Sequence, residues 1–198
     1  GVTFPKIYKD RNLLIGGYTE LSKYLTPSYD YHKLSELAET LTRNLNKIID
    51  YNFYPIKETL TSNKRHRPIG IGVQGLVNVF YKMNIPFESD EAREVNQKMF
   101  ESIYYGSVKA SMEIAKEREE EMKFLKAGIS IGKTEEFVNT HSKLQPLDEE
   151  LNRDEYLGTY STYIGSPLYH GKLQFDLWNE TVDDSLFDWT TLREDIKT

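Results

Sequence analysis

Gly70-Ile71-Gly72-Val73-Gln74-Gly75 carries the spacing G-x-G-x-x-G, and Asp90 lies twenty positions after the first glycine. In a dinucleotide-binding turn, such glycines let the backbone approach a pyrophosphate, the next helix N-terminus meets its charge, and an acid about twenty residues on takes a ribose hydroxyl. That fingerprint requires a complete strand before its first glycine. Here Arg65-His66-Arg67-Pro68 stands in front, and the glycines occupy the apolar run Ile69 to Val73 itself. The reading that fits these surroundings better is a buried strand whose glycines admit close neighbours.

Directly before that run, Asn63-Lys64-Arg65-His66-Arg67 concentrates hydrogen-bond donors and positive charge. A phosphate could use them. The favoured alternative is that they pair with carboxylates and backbone carbonyls at the rim of a barrel. His32, His66, His141 and His170 have no metal-ligand spacing, and no two of them form a helical pair, so a zinc site is not expected. Ser166 lies in Gly165-Ser166-Pro167, which is not a nucleophile elbow. Tyr104, Tyr105, Tyr160, Tyr163 and Tyr169 could carry radical transfer in principle. Packing with a hydrogen-bonded hydroxyl is the commoner use of tyrosine. The sequence contains no cysteine, which excludes disulfides, thiolate metal sites, cysteine nucleophiles and dithiol redox chemistry within it.

The elements that must position these residues follow from pattern. Of 198 residues, 38% are hydrophobic and 28% charged, the balance of one soluble globular domain. Lys and Arg number 25 against 31 Asp and Glu, a formal net charge of −6, which disfavours an electrostatic grip on nucleic acid. No apolar stretch approaches the ~20 residues of a membrane span, and the first residues lack the parts of a signal peptide. The expectation is a soluble, cytoplasmic protein that engages neither nucleic acid nor membrane.

From Asp30, the residues Leu34, Leu37, Ala38, Leu41, Leu45, Ile48 and Ile49 recur at steps of three and four. They predict an amphipathic helix that stops before Pro55. A second long helix is predicted from Ser89 as N-cap. Its buried stripe comprises Ala92, Val95, Met99, Ile103, Val108, Ile114 and Ala115, running out in the charge block Lys116 to Glu121. Between them, Ile69 to Val73 predicts a buried strand passing into a helix at Leu76 to Met83, an α/β unit. Leu173 to Trp178 reads as a strand or extended segment, and Asp188 to Ile196 as a short final helix. The 40 residues from Arg118 to Leu157 mix charge with Gly128, Gly132 and Pro146 and read as an insertion or surface excursion.

Longer strings carry a family resemblance. Arg43-Asn44-Leu45-Asn46-Lys47-Ile48-Ile49-Asp50, Tyr54-Pro55, and the run from Ser62 through Asn63-Lys64-Arg65-His66-Arg67-Pro68 and the glycine segment to Leu76 resemble the large subunit of eukaryotic-type class I ribonucleotide reductases. The likeness continues through Pro86-Phe87-Glu88-Ser89 and Phe100-Glu101-Ser102-Ile103-Tyr104-Tyr105-Gly106. It resumes after the excursion at Tyr160, Gly165-Ser166-Pro167, Gly171-Lys172-Leu173-Gln174-Phe175-Asp176-Leu177-Trp178 and Asp188-Trp189.

The resemblance implies an α/β fold, here a helix-rich segment of the family's ten-stranded α/β barrel, with residues 1–198 as one partial barrel segment and 118–157 inserted within it. It implies reduction of ribonucleoside diphosphates to deoxyribonucleotides through a cysteine thiyl radical and a redox cysteine pair. The implied partners are the rest of the large subunit, a small radical-generating subunit and ribonucleoside diphosphates, with nucleotide effectors bound outside this segment. The family's thiols are not found here. The finger-loop motif is expected upstream, Arg11-Asn12-Leu13 is the nearest match to a Cys-Asn-Leu string, and the phosphate-holding loop is expected beyond Thr198. No catalytic, cofactor-binding or metal residue therefore transfers to this chain. The expectation is a fragment inactive alone, with a degenerate, noncatalytic, protein-binding scaffold as the alternative; whether His66 or Arg67 lines a substrate cavity stays open.

Overall fold

The structure, a computed structural model, describes residues 28–130, 132 and 148–197. Seven helices are described: α1 (Tyr31–Tyr51), α2 (Lys57–His66), α3 (Leu76–Met83), α4 (Asp90–Ser130), α5 (Asp148–Leu151), α6 (Gln174–Leu177) and α7 (Trp189–Lys197). No strand occurs among the described residues. They group into two compact units: residues up to Ala38 with Ile71–Gly106, and Glu39–Gly70 with Ser107–Thr198.

In the first unit, Asp30 caps α1 by accepting the Lys33 N–H at 2.9 Å, and Ser89 caps α4 by accepting the Ala92 N–H at 3.1 Å. The expected stripe on α4 delivers Ala92, Val95 and Met99 into a core with Tyr29, Val79 and Phe80, edged by Leu34, Val73, Leu76 and Met83. Burying each of the larger side chains contributes roughly 1.5–3 kcal/mol. Gly106 is required by close packing, since a Cβ there would lie 2.3 Å from the Ser35 carbonyl oxygen. Helix α3 is closed by Asn84 in the left-handed region (φ 57), whose N–H returns to the Phe80 and Tyr81 carbonyls.

In the second unit, Arg43 of α1 bonds Glu113 at 2.6 Å and Glu117 at 2.9 Å, and Lys109 bonds Glu39 at 2.9 Å, both reaching between α1 and α4. In this unit α1 buries Thr42 and Ile49, whereas Leu41 and Ile48 of the expected stripe are exposed. Met122, Leu125, Leu151 and Leu157 form a separate core.

The expected buried strand at Ile69 to Val73 is not a strand here, and only Ile71 and Val73 are half-buried. The segment is irregular, with Gly70 and Gly72 exposed, and the described residues offer no strand to pair with it. A strand exists only through the ladder bonds a neighbour supplies. Leu173 to Trp178 is likewise corrected to a helical turn: the Asp176 carboxylate accepts the Leu173 N–H at 2.7 Å and is gripped by Arg193 at 2.5 and 2.9 Å, which closes the chain instead of extending it. The final helix stands as expected, capped by Asp188, which accepts the Thr191 N–H at 2.8 Å. Helix α4 passes through the charge block at Lys116 to Glu121 and ends at Ser130, so residues 118–130 of the expected excursion continue the helix.

Candidate functional site

The basic cluster picked out in the sequence forms the C-terminal turn of α2, where Lys64, Arg65 and His66 complement the helix dipole. Its polar, apolar-poor sequence KETLTSNKRH gives no amphipathic stripe. Arg67 ends the helix in the left-handed region (φ 45, ψ 52), with its N–H donating to the Asn63 carbonyl at 2.8 Å. This conformation costs a non-glycine residue of order 1 kcal/mol.

The Arg67 side chain compensates. Its Nε donates to Asn46 Oδ1 at 2.7 Å, Nη1 to Asp50 Oδ1 at 3.0 Å, and Nη2 to Asp50 Oδ2 at 2.7 Å and to the Asn46 carbonyl at 2.9 Å. Only 8% of that side chain is exposed. Asn46 and Asp50 are one helical turn apart on α1, so one planar guanidinium reaches both. With its fork directed at protein acceptors, Arg67 is a clamp on α1, in agreement with the carboxylate-and-carbonyl pairing expected from sequence. His66 is exposed.

Three residues that the sequence had assigned to the excursion complete this corner. Arg118 donates to the Gly158 carbonyl at 3.1 Å and to Glu150 at 3.1 Å, with side-chain exposures of 7% and 1% for that ion pair. Arg153 donates to the Thr159 carbonyl at 3.2 Å and to Ser161 Oγ at 2.6 Å, and the Ser161 N–H donates to the Arg65 carbonyl at 2.8 Å. Burial first, then the neighbouring charge of Arg67, holds the Arg118 guanidinium below its ordinary range; Glu150 and Asp50 oppose the shift, and Arg153 adds to it. No single stretch of sequence signals this arrangement, because its members lie far apart in the chain.

The glycine motif does not become a phosphate cradle. No strand among the described residues precedes Gly70, and Cβ atoms at Gly70 and Gly72 would meet nothing within 4 Å. Asp90 is exposed at the start of α4 and pairs with Arg93 at 2.7 Å. Gly75 (φ 85) serves as the residue that enters α3.

Tyr160, Tyr163 and Tyr169 do come together, joined by Tyr156 and His170, with neighbouring ring centroids 5.0–5.9 Å apart. The Tyr163 hydroxyl donates to the Ile196 carbonyl, tying this loop to α7, which is the packing role expected of tyrosine. Tyr104 and Tyr105 are half-buried along α4. Ser166 Oγ accepts the Tyr169 N–H at 3.2 Å, a turn contact. His32 and His170 are exposed, and no group of three or more His, Cys, Asp or Glu able to hold a metal is found among the described residues. No described helix is long and apolar enough to cross a membrane. Arg11 and His141 lie outside the described residues.

Comparison with known proteins gives this architecture its context. Residues 17–198 match the family model described as ribonucleotide reductase, barrel domain. The ribonucleoside-diphosphate reductase large subunit of Caenorhabditis elegans is 43% identical over 178 residues, covering 89% of this chain and 18% of that protein. The large chain of Neurospora crassa is 41% identical over 174 residues, 88% of this chain and 14% of that protein, and the large subunit of Danio rerio is 39% identical over 178 residues, 89% and 17%. The chain thus spans less than a fifth of the length of these curated relatives. With the match extending over nearly its whole length, the chain belongs to the ribonucleotide reductase barrel domain family.

Proposed function

We propose that this chain serves as a wall segment of the barrel in a ribonucleoside-diphosphate reductase large subunit, an oxidoreductase that makes deoxyribonucleotides from ribonucleoside diphosphates. The match over residues 17–198 carries this reading. The chemistry would be supplied by thiols elsewhere in the subunit, oxidised through a radical-generating small subunit, because hydroxyl, amide and carboxylate groups cannot form and break a disulfide reversibly. The chain's own part is to build scaffold: the Arg67 clamp fixes the corner from which Pro68 launches the glycine segment. Ile69 to Val73, exposed at Ile69, Gly70 and Gly72 and without a ladder here, is the run we assign to pairing with strands from the rest of the subunit. The open space around Gly70 and Gly72 supports that assignment, since nothing in the described chain uses it.

A chimera tests this reading. The stretch of the Caenorhabditis elegans large subunit that matches this chain is replaced by the present sequence, and formation of deoxyribonucleoside diphosphate is measured with the small subunit present. Turnover by the chimera and none by the isolated chain is the expected result. A chimera that is folded and binds the small subunit yet makes no product overturns the proposal.

A further inference from the structure

The excursion closes on itself at its base. Met122 and Leu125 on α4 meet Leu151 and Leu157 on the returning chain, Lys126 Nζ donates to the Arg153 carbonyl at 2.6 Å, and the Arg118–Glu150 pair sits beneath them, almost fully buried. A Cβ at Gly158 would fall 1.8 Å from the Ala115 carbonyl oxygen, so the returning chain lies directly on the α4 backbone. The chain then runs straight to Ser161, whose N–H bonds the Arg65 carbonyl, two residues before Arg67. Every step lies within the second compact unit.

We propose that this arrangement is an electrostatic latch, in which the buried Arg118–Glu150 pair holds residues 150–161 against the end of α2 and thereby sets the position of Arg67. The charge balance explains why the pair is needed. The charges of Arg67 and Arg153 both bear on the buried Arg118, and Asp50, which offsets them in part, is already bonded to Arg67. Glu150 is the counter-charge that lets Arg118 remain buried. Neutralising Glu150 removes the carboxylate that bonds Arg118 and leaves this buried cation beside two others, and the relief available is for the returning chain to swing out with Ser161. Whatever displaces Glu150, a bound partner or a cut in the returning chain, therefore loosens the α2 corner. This inference does not depend on the proposed function.

Amide hydrogen exchange on the full chain tests it, read at Ser161 and Arg67, whose N–H groups bond the Arg65 and Asn63 carbonyls. Glu150→Gln is expected to speed exchange at both amides by about ten-fold or more, since an unpaired buried charge is strongly destabilising. The double variant Arg118→Met/Glu150→Leu, which removes both charges and keeps bulk, is expected to return both amides to within about three-fold of the parent. Faster exchange confined to residues 150–157 in Glu150→Gln, with Ser161 and Arg67 unchanged, overturns the latch. Should Glu150→Gln fail to fold, the milder Glu150→Asp, which keeps the charge but draws it back from Arg118, takes its place: faster exchange at both Ser161 and Arg67 supports the proposal, and faster exchange confined to residues 150–157 defeats it.

Discussion

Arg67 holds both carboxylate oxygens of Asp50, seventeen residues earlier in the chain, while its own backbone sits at φ 45. The two facts oppose each other energetically: the bidentate bond stabilises what the backbone geometry penalises. Arg67→Ala loses the clamp and keeps the strain, whereas Arg67→Gly loses the clamp and sheds the strain. The glycine variant is expected to be more stable than the alanine variant by about 0.5–1 kcal/mol in urea denaturation, reversing the usual order. Both should lie about 1–3 kcal/mol below the parent. Equal stability of the two variants would show that the left-handed cap is unimportant.

Glycines separate into two classes by what surrounds them. Gly106→Ala and Gly158→Ala push a methyl group into the backbone carbonyls of Ser35 and Ala115, which cannot retreat without parting α1 from α4 in the first case and the returning loop from α4 in the second. Each should cost about 1–3 kcal/mol or more. Gly70→Ala and Gly72→Ala meet open space in this chain and should change its stability by no more than about 0.5 kcal/mol. In the chimera described above, the same two substitutions are expected to impair assembly, because pairing brings neighbouring chain toward them. Thermal melts of the four variants, with and without the rest of the subunit, provide the comparison.

Asp176 titrates below the ordinary aspartate value of 3.8, chiefly because Arg193 bonds its carboxylate, with burial opposing and the Leu173 N–H assisting. A carboxyl whose folded value is depressed favours folding when ionised. Its contribution is therefore complete at neutral pH, begins to fade as pH falls toward 3.8, and is gone once pH passes below the depressed value. Asp176→Asn should flatten the acid limb of the stability profile in that window. An acid limb identical to the parent's would assign the pH dependence to other carboxylates.

At the alkaline end, burial, then Glu94 and Tyr29, push the Tyr31 hydroxyl up from 10.0 to about 12. The folded state here prefers the neutral phenol. Tyr31 thus supports the fold fully below pH 10 and loses that support as pH rises toward 12. Ultraviolet titration of phenolate should show one late-ionising tyrosine fewer in Tyr31→Phe, and the variant should resist alkaline unfolding better than the parent.

The sequence by itself determined the long helices, their starts at Asp30 and Ser89, the helix from Leu76 to Met83 and the terminal helix, because apolar period and cap chemistry are local properties of the chain. It also fixed the family through the run from Ser62 to Leu76, and the absence of thiol chemistry through its composition. Helix α2 is not legible in the sequence because its residues carry no apolar stripe, and the turn at Asp176 is not because Arg193, seventeen residues away, closes it. What only the tertiary structure decided was the partnership of charges. Arg67 with Asn46 and Asp50, and Arg118 with Glu150, become specific through burial and orientation, which raise the cost of any unpaired group far above its cost in water. The glycine run marks the same divide: its letters are local, but whether it is a strand depends on a neighbour.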